Sequence, residues 1–151
     1  MLKWLMEGVV GYLQDTFPEI PVSRSYSPQL DMVAVQKDAT IAMVRLLVTP
    51  PTQTGDDTLL SRRPTVRRNV GVDVGMVVKP RSWENEEIDP YAEMAENIRK
   101  SLWSIPPVAI SAEGYERAIF VKLEDQFCGI PEAHSQLFVA LLTPRFVVDY
   151  R

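Results

Sequence analysis

Between residues 67 and 80 the chain reads RRNVGVDVGMVVKP, and no other stretch constrains the fold as tightly. Val70, Val72, Val74, Met76 and Val78 recur at every second position, the period of a β-strand with one buried apolar face. Between them lie Gly71, Asp73, Gly75 and Val77. Glycine weakens a strand interior and commonly marks a place that another group approaches closely. The stretch therefore implies a sheet with one valine face, packed on the domain's own helices, and one thin face. On this reading Gly71, Asp73 and Gly75 meet an assembly partner or a second layer; the plain alternative is that they face water.

The flanking segments supply the rest of a domain. Leu2, Leu5, Met6, Val9 and Leu13 repeat at helical spacing, and Phe17 ends the run before Pro18, where a helix is expected to stop. PEIPVSRSYSP, with Pro18, Pro21 and Pro28, reads as an extended linker rather than an element. Residues 31–36 (DMVAVQ) and 40–49 (TIAMVRLLVT) read as strands around the turn residues Lys37 and Asp38. A second helix is expected with Asp89 as N-cap and Pro90 at its first position. Its apolar stripe is Tyr91, Met94, Ala95, Ile98 and Leu102, and Arg99 and Lys100 suit its C-terminal end. Residues 115–124 and 135–151 read as strands, and Pro144 marks an edge, a bulge or a break in the second. The order α-β-β-arm-β-α-β-β gives an α+β fold: one domain over 1–151, a largely antiparallel sheet with two main helices on one face.

The arm is PPTQTGDDTLLSRRPTVRRN, residues 50–69, a long polar stretch expected to form a protruding hairpin or loop. Leu59 and Leu60 are its apolar anchor, and Arg62, Arg63, Arg67 and Arg68 its charge. Four arginines suit a neighbouring subunit's acidic surface, solvent, or DNA phosphate, which is a sequence-independent contact. Interleaved aromatics for stacking bases are missing.

Composition narrows the chemistry. The chain has 151 residues with a formal net charge of -4, which argues against a dedicated nucleic-acid binder. Its single cysteine, Cys128, permits no intrachain disulfide. Cys128 and His134 lack an orienting third group for nucleophilic catalysis, and the chain cannot supply a clustered zinc set. The acidic run ENEEID leads into a helix and carries no glycine turn, so it reads as helix-start charge rather than a calcium loop. GVDVG lies inside a strand and is no phosphate loop. Glu7 and Asp15 interrupt the apolar N-terminal run, which reads as a helix and not a signal peptide, and no stretch approaches a membrane span. The expectation is a protein that is not an enzyme, with no catalytic, cofactor or metal residues.

In order and spacing, DMVAVQ, SRRPTVRRNVGVDVGMVVKP, IDPYAEMAENIRKSLW, YERAIFVKLE and QLFVALLTPRFVVDYR resemble the tail-terminator and tail-completion (neck) proteins of long-tailed bacteriophages. Together the segments cover most of the chain, which differs from that pattern in its proline-rich 18–30 stretch and in Pro144. The resemblance implies a virion protein assembled in the bacterial cytoplasm. It implies a ring, commonly of six subunits, that caps the tail tube and joins tail to head connector, with DNA passing through the lumen without sequence-specific binding. The subunit interface would then involve Leu59, Leu60, Arg62, Arg63, Arg67, Arg68, Gly71, Asp73 and Gly75. Other virion roles, a tail-tube or head-completion subunit, and a DNA-contacting accessory protein are the alternatives.

Overall fold

The computed structural model describes residues 2–26, 41–51, 57–59, 66–110, 117–128 and 137–150. The expected strand at 31–36 lies outside them, as do Leu60, Arg62, Arg63 and His134. Among these residues the fold is α+β, with two helices and a curled mixed sheet.

Helix α1 spans Leu2–Thr16 and buries Leu5, Met6, Val9 and Leu13, the stripe its spacing dictates. The Phe17 N–H donates to the Leu13 carbonyl at 2.8 Å before Pro18 stops the helix. The linker expected next contains a strand. β1, Val22–Arg24, pairs in parallel with β2, Arg45–Thr49. Proline lacks a donor but keeps its acceptor: the Pro21 carbonyl receives the Leu46 N–H at 2.9 Å. The three residues beyond it have full pairing capacity, and Val22 packs on the core. The prolines set where β1 begins; they do not forbid it.

β3, Asp57–Leu59, and β4, Val66–Gly71, form an antiparallel hairpin, so the arm is at least in part a hairpin. β5, Asp73–Val78, pairs with β2 on one edge. β4 and β5 are two halves of one strand, because both pair with β8, Phe138–Tyr150, in a single unbroken register. The gap falls at Val72, opposite Pro144. Proline has no N–H to complete the ladder there, and the one bond made is Val72 N–H to the Pro144 carbonyl at 3.3 Å. The expectation of an edge, a bulge or a break at Pro144 itself is not met: β8 runs through Pro144 without interruption, and the missing donor instead interrupts the partner strand between β4 and β5.

On the other edge of β8 lies β7, Arg117–Cys128, with a bulge between Phe120 and Lys122. β6, Val108–Ala109, pairs with β7 in turn. β1 and β6 stand at opposite ends of the strand path, yet α1 packs against both. The sheet curls around the helix. Val72, Val74, Met76 and Val78 are fully buried inside, with Leu46, Val48, Phe138, Ala140, Phe146 and Val148.

Helix α2 spans Asn85–Leu102, with Glu84 at the N-cap and Pro90 inside. The expectation of a start at Asp89–Pro90 was too late. Glu86 and Glu87 occupy the first turn, where negative charge meets the positive helix end. Glu87 also accepts the Arg81 N–H at 3.1 Å and the Tyr91 hydroxyl at 3.3 Å, anchoring a turn that Pro90 alone would have displaced. The Tyr12 hydroxyl donates to the Ser101 carbonyl at 2.6 Å and ties α1 to the end of α2.

The two glycines of α1 differ. A methyl at Gly8 would run into Val108 Cγ1, with Val108 Cβ and Cγ2 at 3.3 Å; Gly11 has nothing within 4 Å. Valine is stiff at χ1 and cannot swing clear. Gly8→Ala is therefore expected to destabilise by about 1 kcal/mol net, as overpacking of about 1–3 kcal/mol outweighs roughly 1 kcal/mol of helix propensity. Gly11→Ala should stabilise by about 1 kcal/mol. Urea midpoints at constant slope read both; a stabilising Gly8→Ala would mean that β6 yields.

Candidate functional site

The face of the sheet opposite the core carries Gly71, Asp73 and Gly75, three of the interface residues that the sequence singles out. Directly opposite residues of paired strands share a face, so the register places them in rows. One row is Lys122, Arg145 and Gly71; the next is Glu124, Thr143, Asp73 and Thr49; a third includes Leu141, Gly75 and Leu47.

Gly71, Asp73 and Gly75 do not face water. Gly71 and Gly75 are buried, and Asp73 is 2% exposed. Asp73 accepts the Thr143 hydroxyl at 2.7 Å, and Thr49, also buried, lies opposite it on β2. Gly71 makes room for a side chain of its own sheet. A Cβ there would stand 3.0 Å from Arg145 Cδ and 3.3 Å from Nη1, so the guanidinium stem lies across the glycine. This is the close approach that the glycine implied, made from within the chain.

The Arg145 side chain is only 13% exposed and reaches Glu124 at 3.4 Å, while Lys122 bridges Glu124 at 3.1 Å. Glu124, Lys122, Thr143 and Arg145 were not singled out by sequence reasoning. The available signal was alternation: Lys122 and Glu124 fall on one face of a strand, as do Thr143 and Arg145. The hydrogen bond from Lys122, with the charge of Arg145, holds the Glu124 carboxyl below its ordinary range. A lowered carboxylate value means that the pair favours the folded chain above the ordinary glutamate value and loses that contribution as pH falls through the lowered one. Carboxyl NMR titration should find the Glu124 midpoint below a free glutamate, and Lys122→Ala should raise it. An unmoved midpoint in Lys122→Ala would remove the lysine from the network.

At the foot of the arm, Arg67 forks onto Asp149 of β8 at 3.0 and 3.3 Å. Both side chains are nearly half exposed, so the pair orients the arm more than it stabilises the fold. Asp149 raises the Arg67 pKa from a value that is already high. Arg68 is exposed, and beside it a cavity of about 150 Å³ opens between Leu2, Leu5, Pro51 and Val70. Leu59 ends β3. The structure thus joins Gly71, Asp73 and Gly75 on one face and sets Arg67 and Arg68 along the strand that leads out of it.

Exposed apolar side chains gather at the far edge: Trp103, Ile119 and Val121 are each about half exposed. Trp103 stands edge-on to Phe120, with ring centroids 5.3 Å apart. Among the described residues no three His, Cys, Asp or Glu side chains are gathered to hold a metal, and no helix is long and apolar enough to cross a membrane. No family model matches the chain, and no curated protein matches it.

Proposed function

We propose that this chain is a structural protein of a long-tailed bacteriophage virion, a ring-forming tail-terminator or neck subunit. It caps the tail tube and joins the tail to the head connector. The observation that carries the reading is the order of its segments: amphipathic helix, arm, arginine-led valine strand, helix, and a long terminal strand. The sheet geometry supports it. The arm's hairpin extends the central strand past the buried core and presents Arg67 and Arg68 outward.

A subunit of this kind works by burying surface. The curled sheet and α1 make a rigid body, and the arm lies on the next subunit and adds contact area without enlarging the core. Head-to-tail contacts of that type close into a ring when the rotation per subunit closes. The ring presents a different surface from the tube, which stops tube growth, and DNA passes through its lumen without sequence readout.

The test is native mass across concentration, alone and with tail tubes. A closed ring, with six subunits the expected number, or tubes whose growth stops on adding the protein, would support the reading. Replacing Arg62, Arg63, Arg67 and Arg68 with alanine should weaken assembly at least about tenfold, roughly 1.4 kcal/mol. A monomer that leaves tube length unchanged would overturn the proposal. Duplex binding that falls steeply with salt and vanishes in the same variant would favour the DNA-contacting reading instead.

A further inference from the structure

The outer edge of β7 is covered by a described strand at one end only. β6 meets it at Arg117 and Ala118, and 119–128 runs on past that contact. A bare strand edge is a template for another strand, and proteins ordinarily blunt such edges with bulges and charges. Both devices are present here and neither blocks a copy of the same chain. The bulge falls at the β6 end and leaves 122–128 in unbroken register with β8. The lysine, Lys122, is matched by Glu124 at 3.1 Å on the same face, so that face of the edge carries a paired charge rather than a repelling row. Ile119 and Val121, 49% and 52% exposed, leave apolar surface beside it.

We propose that the β7 edge pairs with the same edge of a second copy, antiparallel about a two-fold axis at Leu123. An axis normal to the sheet keeps each side chain on its own face, so the axis must pass through a residue pair. Centred on Leu123, the register sets Lys122 opposite Glu124 of the second copy, and symmetry makes that pair twice. Centred on Glu124 it opposes two glutamates, and centred on Asp125 two aspartates. Unlike charges directly opposite stabilise a strand pair and like charges destabilise it, so the charges select the Leu123 register. The bulge at Val121 then ends the pairing on each side, which makes this a short, concentration-dependent contact. It is isologous, unlike a head-to-tail ring contact, and it does not rest on the ring reading.

The test places a single cysteine on the axis of the full chain, as Leu123→Cys with Cys128→Ser. Directly opposite residues have Cα atoms about 4.5–5.5 Å apart, within reach of a disulfide. Mild oxidation should give a covalent dimer whose fraction rises with concentration. Adding Lys122→Glu or Glu124→Lys should each cut that fraction about tenfold, a change of roughly 1.4 kcal/mol. Mixing the two variants should restore it, because each offers the charge that the other lacks. No cross-link in the parent, indifference to either charge change, or no recovery on mixing overturns the proposal. Should Leu123→Cys disturb folding, sedimentation of the wild type, the two charge variants and their mixture reads the same prediction. Ring formation is followed separately by native mass, so either contact can fail alone.

Discussion

Phe146→Ala is expected to remove about 3–5 kcal/mol of stability, the range for deleting a buried phenylalanine. Phe146 is 1% exposed and stands edge-on to Phe120, with centroids 6.0 Å apart at 77°. Its strand is held on both edges, by β4 and β7, so the backbone cannot collapse into the cavity left behind. Against a typical total of about 5–15 kcal/mol, this is a large share. The melting temperature should fall by roughly 6–20 °C for a domain of this size. Trp103→Ala, at the exposed end of the same aromatic row and 52% exposed, should cost much less. Thermal unfolding by circular dichroism separates the two, and equal losses would mean that the row is not anchored by Phe146.

The contrast between these two aromatics shows what the sequence makes legible. The run 135–151 announces an apolar strand, but it cannot say that this strand is central with β4 and β5 on one edge and β7 on the other. That depends on pairings between residues far apart in the chain. The valine face was legible because a period-two pattern needs no partner to be read. So were α1 and the stripe of α2, whose apolar spacing is local. The start of α2 was misread because Pro90 is a strong local signal for a first turn, while the contacts of Glu87 that extend the helix backward are not local. β1 was hidden because a short strand between prolines looks like a linker until β2 lies beside it. The polar network of Lys122, Glu124, Arg145, Thr143 and Asp73 was invisible for the same reason, since its members come from three strands.

Gly71→Leu is expected to cost about 3 kcal/mol in the isolated chain, at the upper end of overpacking penalties. The new Cβ would lie 3.0 Å from Arg145 Cδ, 3.3 Å from Nη1 and 3.1 Å from the Pro144 carbonyl oxygen. The arginine stem can rotate away. The carbonyl cannot, because it accepts the Val72 N–H at the break between β4 and β5. Adding Arg145→Ala should therefore recover only part of the loss, with a coupling of about 1 kcal/mol in the double-mutant cycle. Urea unfolding of the four chains measures it. A Gly71→Leu chain as stable as the wild type, yet defective in assembly, would return the glycine to a partner's surface. A destabilised chain whose defect is relieved by Arg145→Ala would assign the thin face to the subunit's own arginine. Contact between subunits would then have to be made away from Gly71, by Arg68, the arm and the strand edges, because the space over Gly71 is already occupied by Arg145.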